Sequence, residues 1–319
     1  MPTSVLAHPN STQRSVLRRS GLAAAPEAAY RAHIEVALAI DVGGTKVAAA
    51  LVTAEGEVLS RAAAPTPPTD DPEEVLQRIL AVTGDARAAG EHEVVVCGVG
   101  CGGPMSGKGE EVSPINIPSM RRYPLQARLA DATGVPTFVD NDAKALALGE
   151  GWRGAAEGRA DYMAMVVSTG VGGGIVLDGR LLDGRDGNAG HVGHVIVEPE
   201  GRRCGCGARG CLEAEASGTA IAAITGRPAT EAGAEVVERT GVLVGRAVAS
   251  VSNLLDLPLT VVAGSVALGF GDRFFTAAQG ELDRRAHLDF SRGARIVAAG
   301  LGDRGPLVGA AAVGWRGLS

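Results

Sequence analysis

The chain has 319 residues, 45% of them hydrophobic, and carries 30 basic against 36 acidic side chains for a net charge of −6. That length accommodates two ordinary domains with cores of their own, and an acidic balance without long runs of like charge excludes a phosphate-backbone binder, so nucleic acid is not an expected partner. No stretch reaches the roughly 18 apolar residues of a membrane span, and five cysteines, an odd number of which three suit a metal better than disulfides, point to a reducing cytoplasm.

Residues 1–33 lack the continuous apolar core of a signal peptide and read as a disordered tail with a weak transit-peptide character. From Ile34 to Ile40 an apolar run predicts a buried strand that ends at Asp41 and turns on Gly43 and Gly44. VAAALVTAEGEVLSRAAA predicts a hairpin turning at Glu55 and Gly56, and EEVLQRILAVTGDARAAG a helix after a Pro-rich connection. VVVCGVGCGG returns as a strand into a glycine loop. TFVDNDAKALALGEGW reads as a strand followed by a helix opened by Asn141 and Asp142.

The opening pattern then repeats. YMAMVVSTGVGGGIVLDGRLLDG holds an apolar strand, a Thr/Gly turn and a second strand with a hairpin at Asp178 and Gly179. Two like units predict two similar α/β domains facing across a cleft, over residues 34–145 and 146–300. Ala-rich segments from Ser217 to Leu255 read as helices, LTVVAGSVALG and RIVAAG supply further strands, and residues 301–319 form a closing helix packed back toward the first domain.

Three motifs carry chemistry. Cys204, Cys206 and Cys211, spaced C-x-C-x4-C among glycines, can converge on one ion, and His194, ten residues before Cys204, supplies a fourth ligand. The set suits a structural Cys3His zinc site with no open position. DVGGTK (Asp41, Gly43, Gly44, Thr45, Lys46) and STGVGGG (Ser168, Thr169, Gly170, Gly172, Gly173, Gly174) can each turn backbone N–H groups toward phosphate oxygens. Together they would clamp ATP, with Asp41 holding its hydrated Mg2+. Asp142, at a strand-to-helix junction, suits a base that takes a proton from a substrate hydroxyl as it attacks the γ-phosphoryl group. As plain structure, the Asn141–Asp142 pair is an N-cap. Two G-x-G-x-x-G matches and one G-x4-G-K match are rejected. A proline and no following amphipathic helix stand at the first, no strand precedes the second, and Gly109 replaces the Ser or Thr of a P-loop in the third.

In this order the pieces resemble the ROK family (repressors, open reading frames and kinases), over roughly residues 34–316. DVGGTK and STGVGGG resemble its phosphate motifs, VDNDAKA its catalytic-aspartate motif and GHVIVEPEGRRCGCGARGCLE its zinc motif. The resemblance implies an actin-like ATPase (ribonuclease H-like) fold and a cytoplasmic, homodimeric, ATP-dependent sugar kinase. It further implies Asp142 as base for the sugar 6-hydroxyl, and Asn116, Asn141 and Glu213 on the ring. His194 would hold zinc by one ring nitrogen and the sugar by the other, and Gly264, in VAGSV, would belong to the adenosine-binding turn. One departure matters: family glucokinases carry A-G-E-x-G-H where this chain has A-G-H-V-G-H, with His191 in place of Glu. That form is similar to family members acting on N-acetylmannosamine, so this sugar is the expected substrate. Glucose or a range of N-acetylhexosamines is the alternative. The tail is too short for the winged helix-turn-helix of the family's regulators.

Overall fold

The apolar run after Ile34 forms strand β1 (Glu35–Val42), at the centre of the first of two five-stranded sheets in this computed structural model, which describes residues 34–319. The expected tail over residues 1–33 lies outside the described residues. β2 (Lys46–Thr53) and β3 (Val58–Pro65) extend the sheet antiparallel from β1, while β4 (Glu93–Cys101), with near-continuous apolar character, and β7 (Thr137–Asn141) extend it in parallel on the other side. A two-stranded ribbon, β5 (Met105–Ser106) with β6 (Glu111–Val112), sits between β4 and β7 in the chain.

The second sheet repeats this plan strand for strand. β8 (Tyr162–Val167) is its centre, β9 (Val171–Leu177) and β10 (Arg180–Leu181) run antiparallel from it, and β11 (Leu259–Ala263) and β12 (Arg295–Ala298) lie parallel on its other side. The orders, β3-β2-β1-β4-β7 and β10-β9-β8-β11-β12, are the same.

Helices cover both sheets, and their apolar faces close separate cores. α1 (Pro72–Arg87) starts at Asp71, whose carboxylate accepts from the Glu73 N–H at 2.9 Å, and it buries Val75, Leu76, Ile79 and Val82 against β2 and β3. α8 (Gly305–Leu318) lies on β1 and β4 and also packs on α3 (Asp142–Arg153). The α3–α8 contact is close because Gly149 faces Gly309: a Cβ on Gly149 would come within 2.9 Å of the Gly309 Cα. α3 in turn touches β4 and β7 of one sheet and β8 and β9 of the other, which puts it between the halves. The second half also carries α4 (Leu212–Ala216), α5 (Gly218–Thr225), α6 (Ala234–Leu255) and α7 (Ser265–Arg285), with α6 and α7 packed against each other.

Three helices escape the sequence reading, α2 (Leu125–Thr133), α4 and α7. In α7 the helical pattern is interrupted by glycines, and Gly271 (φ 60°, ψ −149°) breaks the helix locally. Among the described residues, no helix is long and apolar enough to cross a membrane.

Candidate active site

In parallel sheets the carboxyl ends of strands are where backbone groups and loop residues are free to meet a ligand. Here those ends converge on one cleft of about 690 Å³. β1 delivers Asp41 and the Gly43–Lys46 turn, β4 delivers Gly103 and Pro104, and β7 delivers Asn141 and Asp142; β8 delivers Ser168 and Thr169. His191, His194, Cys206 and Glu213 close the remaining wall.

The Asn141–Asp142 junction is a helix N-terminus in the full sense. Asn141 Oδ1 accepts from the Ala143 N–H at 3.0 Å and Asp142 Oδ1 from the same group at 2.8 Å. The Asp142 carboxylate reaches the cleft, yet the protein packed around it disfavours its charge and raises its pKa, against the lowering effect of the Ala143 N–H and of His191. Asp41 lies close by. Burial first, and the Asp142 charge second, push its carboxyl up to about 7, with Lys46 and Arg61 opposing. A divalent cation would relieve both causes, so the residues present fit an Mg2+ site.

His191 lines the same cleft. A Cβ built on Gly103 would lie 3.2 Å from Asn141 Nδ2 and 3.8 Å from His191 Nε2, so the three groups surround one point. Burial, then neighbouring His194 at 6.1 Å between ring centroids, lowers the His191 pKa, while the Asn188 backbone, Asp142 and Glu213 pull the other way. The ring is therefore neutral at neutral pH and offers one donor and one acceptor.

His194 Nδ1 lies 3.7 Å from Cys204 Sγ, and Cys206 Sγ lies 3.7 Å from Cys211 Sγ; all four ligand atoms fall within 4.8 Å of one another. Ligands about 2.3 Å from a tetrahedral zinc stand roughly 3.8 Å apart, so the cluster has the spacing of such a site. Leu212 and Glu213 follow Cys211 directly, at the start of α4. Glu213 Oε2 accepts from the Val171 N–H at 3.0 Å, a link between the cysteine loop and the second phosphate loop that the sequence reading did not contain.

Some expected site residues stand elsewhere. Gly174 does not line the cleft; it lies under α3, where a Cβ would come within 2.8 Å of Lys144 Cα and Ala147 Cβ. Gly264 (φ 100°) backs onto the Val167 carbonyl and opens α7, a position that only glycine fits. Asn116 does line the cleft, packed on Gly44, so the loop expected to touch sugar also touches the first phosphate loop. Next to Thr169, a second cavity of about 730 Å³ opens between α5, α6 and α7, walled by Ala222, Val237, Val266 and Phe270. Ser265 beside it lies 2.9 Å from the Ser168 hydroxyl. Ser265 and Val266 belong to the VAGSV turn expected at adenosine, while Ala222, Val237 and Phe270 are scattered over three helices and carry no local signal in the sequence.

Residues 37–315 match the family model described as "ROK family". The chain belongs to the ROK family. Among relatives of this ROK protein, the N-acetylmannosamine kinase of Escherichia fergusonii is 36% identical over 249 residues, 73% of this chain and 84% of that protein. Among solved structures, the ROK hexokinase from Thermus thermophilus superposes with a TM-score of 0.76 at 31% identity, over 89% of this chain and 99% of that one. The ROK family glucokinase from Streptomyces griseus, solved with glucose and AMPPNP, gives 0.76 at 30% identity, over 88% and 99%. The fold of this ROK chain is that of the actin-like ATPases.

Proposed function

We propose that this protein is a kinase that transfers the γ-phosphoryl group of ATP to the 6-hydroxyl of N-acetylmannosamine. The observation that carries the reading is that Asp142 and His191 line one cleft together with the Gly43–Lys46 and Ser168–Gly170 turns. Asp142, with its raised pKa, is a stronger base than an ordinary aspartate and takes the hydroxyl proton as the oxygen attacks phosphorus. Asn141 and Asn116 bind other hydroxyls and hold the nucleophile in line; Glu213, with one oxygen engaged by Val171, offers the other to the ring. The Gly43–Lys46 and Ser168–Gly170 turns orient the phosphates, and the apolar cavity beyond Thr169 takes the adenine. Asp41 would hold Mg2+ bound with ATP, and the ion would supply charge neutralisation to the phosphates.

His191 supports the choice of sugar. A neutral imidazole presents one acceptor to an acetamido N–H, whereas a carboxylate at that place would accept from two hydroxyls. The identity with N-acetylmannosamine kinases points the same way. Zinc held by His194, Cys204, Cys206 and Cys211 is structural in this reading, fixing the ring of His194 and the start of α4 with Glu213. The family likeness extends it to a cytoplasmic homodimer, which sedimentation of the purified protein tests.

The deciding experiment is coupled ADP release over N-acetylmannosamine, N-acetylglucosamine, glucose, mannose and allose. N-acetylmannosamine should give the highest kcat/KM. The glucokinase likeness favours a second reading, glucose, and a higher value for glucose would establish it in place of the first.

A further inference from the structure

In the first turn of α3, two residues after the proposed base, Lys144 is 1% exposed. Its ammonium donates to Asp183 Oδ1 at 3.0 Å and to the Gly187 carbonyl at 3.1 Å, and pairs with Asp140 Oδ1 at 2.8 Å. Asp140 is the penultimate residue of β7 in the first half, directly before Asn141 and Asp142; Asp183 and Gly187 belong to the loop after β10 of the second half. Arg316 of α8 backs the same carboxylates, with Nη2 at 2.8 Å from Asp183 Oδ2 and Nη1 at 3.7 Å from Asp140 Oδ2. Burial first, and the Asp183 charge in addition, disfavour an ionised Asp140 and raise its pKa, with Lys144 and then the Asn141 N–H opposing them. An uncharged side chain at this position could not neutralise two carboxylates.

The same loop is held a second time. The Asn188 amide spans the backbone of Met105, accepting from its N–H at 3.0 Å and donating to its carbonyl at 2.8 Å. Residues 183–188 are thus part of the second half by chain order and are tied to the first half by contacts. His191 follows three residues later. The nucleotide cavity, in contrast, is built from α5, α6 and α7.

We infer that Lys144 is a positioning residue that fixes the 183–191 loop, and His191 with it, to the strand and helix carrying Asp142. His191 is then one unit with the base, while the cavity among α5, α6 and α7 is built without this loop. The effect on sugar rests on the kinase reading; the tether itself does not.

Full-length Lys144→Met and Asn188→Ala proteins test this by amide hydrogen exchange and steady-state kinetics. Exchange over residues 184–191 should quicken more than about tenfold in Lys144→Met and less in Asn188→Ala, with residues 218–222 unchanged in both. KM for the sugar should rise about tenfold while KM for ATP stays within about twofold. Unchanged exchange over 184–191 in both variants overturns the inference, as does an equal rise in the two KM values. General acceleration of exchange in Lys144→Met with none in Asn188→Ala also overturns it, because the lysine would then serve stability alone. A wild-type protein that phosphorylates no sugar sinks the kinase reading, and the exchange data still decide the tether.

Discussion

The two halves share one strand order and place opposite chemistry at its centre. In both, a central strand turns back through a short polar or glycine turn into an antiparallel neighbour, β1 into β2 and β8 into β9. The first turn leaves a carboxylate, Asp41, at the end of its strand, with Asp142 close enough for the two charges to oppose each other. The second leaves only hydroxyls and N–H groups, from Ser168, Thr169 and Gly170, and its nearest carboxylate, Glu213, is already engaged by Val171. The scaffold therefore sets where a ligand can lie, and the residues at strand ends set what each side does to it. In the proposed reaction the first side handles the proton and the cation, and the second handles phosphate and adenine.

The largest effect should come from breaking the acid side. Asp142→Asn keeps the N-cap but removes the base, and kcat should fall roughly 10²–10⁴-fold with sugar binding retained by calorimetry. An active variant would remove Asp142 from the mechanism. Next is the cysteine loop, which holds residues of the second side in place. Cys206→Ser should weaken metal affinity by at least the roughly 10–100-fold that losing even an outer partner costs, and turnover should fall with the metal content measured by atomic absorption. Full turnover by metal-free protein would separate the loop from the activity.

A smaller effect should sharpen the boundary between base and sugar. His191→Glu should move the ratio of kcat/KM for N-acetylmannosamine over glucose toward glucose by about 10–100-fold, measured in the same coupled assay. No movement would take His191 out of specificity. The smallest effect concerns pH. Asp41 is held at about 7 in the folded chain against 3.8 for a free side chain, so the native state binds more protons between those values. Its contribution to stability is therefore present below pH 4 and lost as pH rises toward 7, in the absence of a cation. Asp41→Asn should flatten that part of the stability curve in urea titrations, and Mg2+ should flatten it for the wild type.

Most of this comparison is local in the chain, which is why so much of it could be read there. Each phosphate turn occupies one short run beside its strand, and the cysteines lie within a few residues of one another, so their types and spacing speak for themselves. The cavity of Ala222, Val237 and Phe270 could not be read the same way: three helices bring it together, and the glycines of α7 obscure its period. Lys144 is the clearest case. In sequence it is an ordinary basic residue on a helix, and only the fold shows that its three partners come from both halves.

In the proposed reaction the base and His191 select one hydroxyl of one sugar, and analysis of the product decides whether they do. Phosphorus–proton correlation NMR on the product formed from ATP and N-acetylmannosamine should show a single phosphomonoester coupled to the protons at C6. A phosphate at C1, or ADP release without any sugar phosphate, would rule out this role for Asp142 and His191.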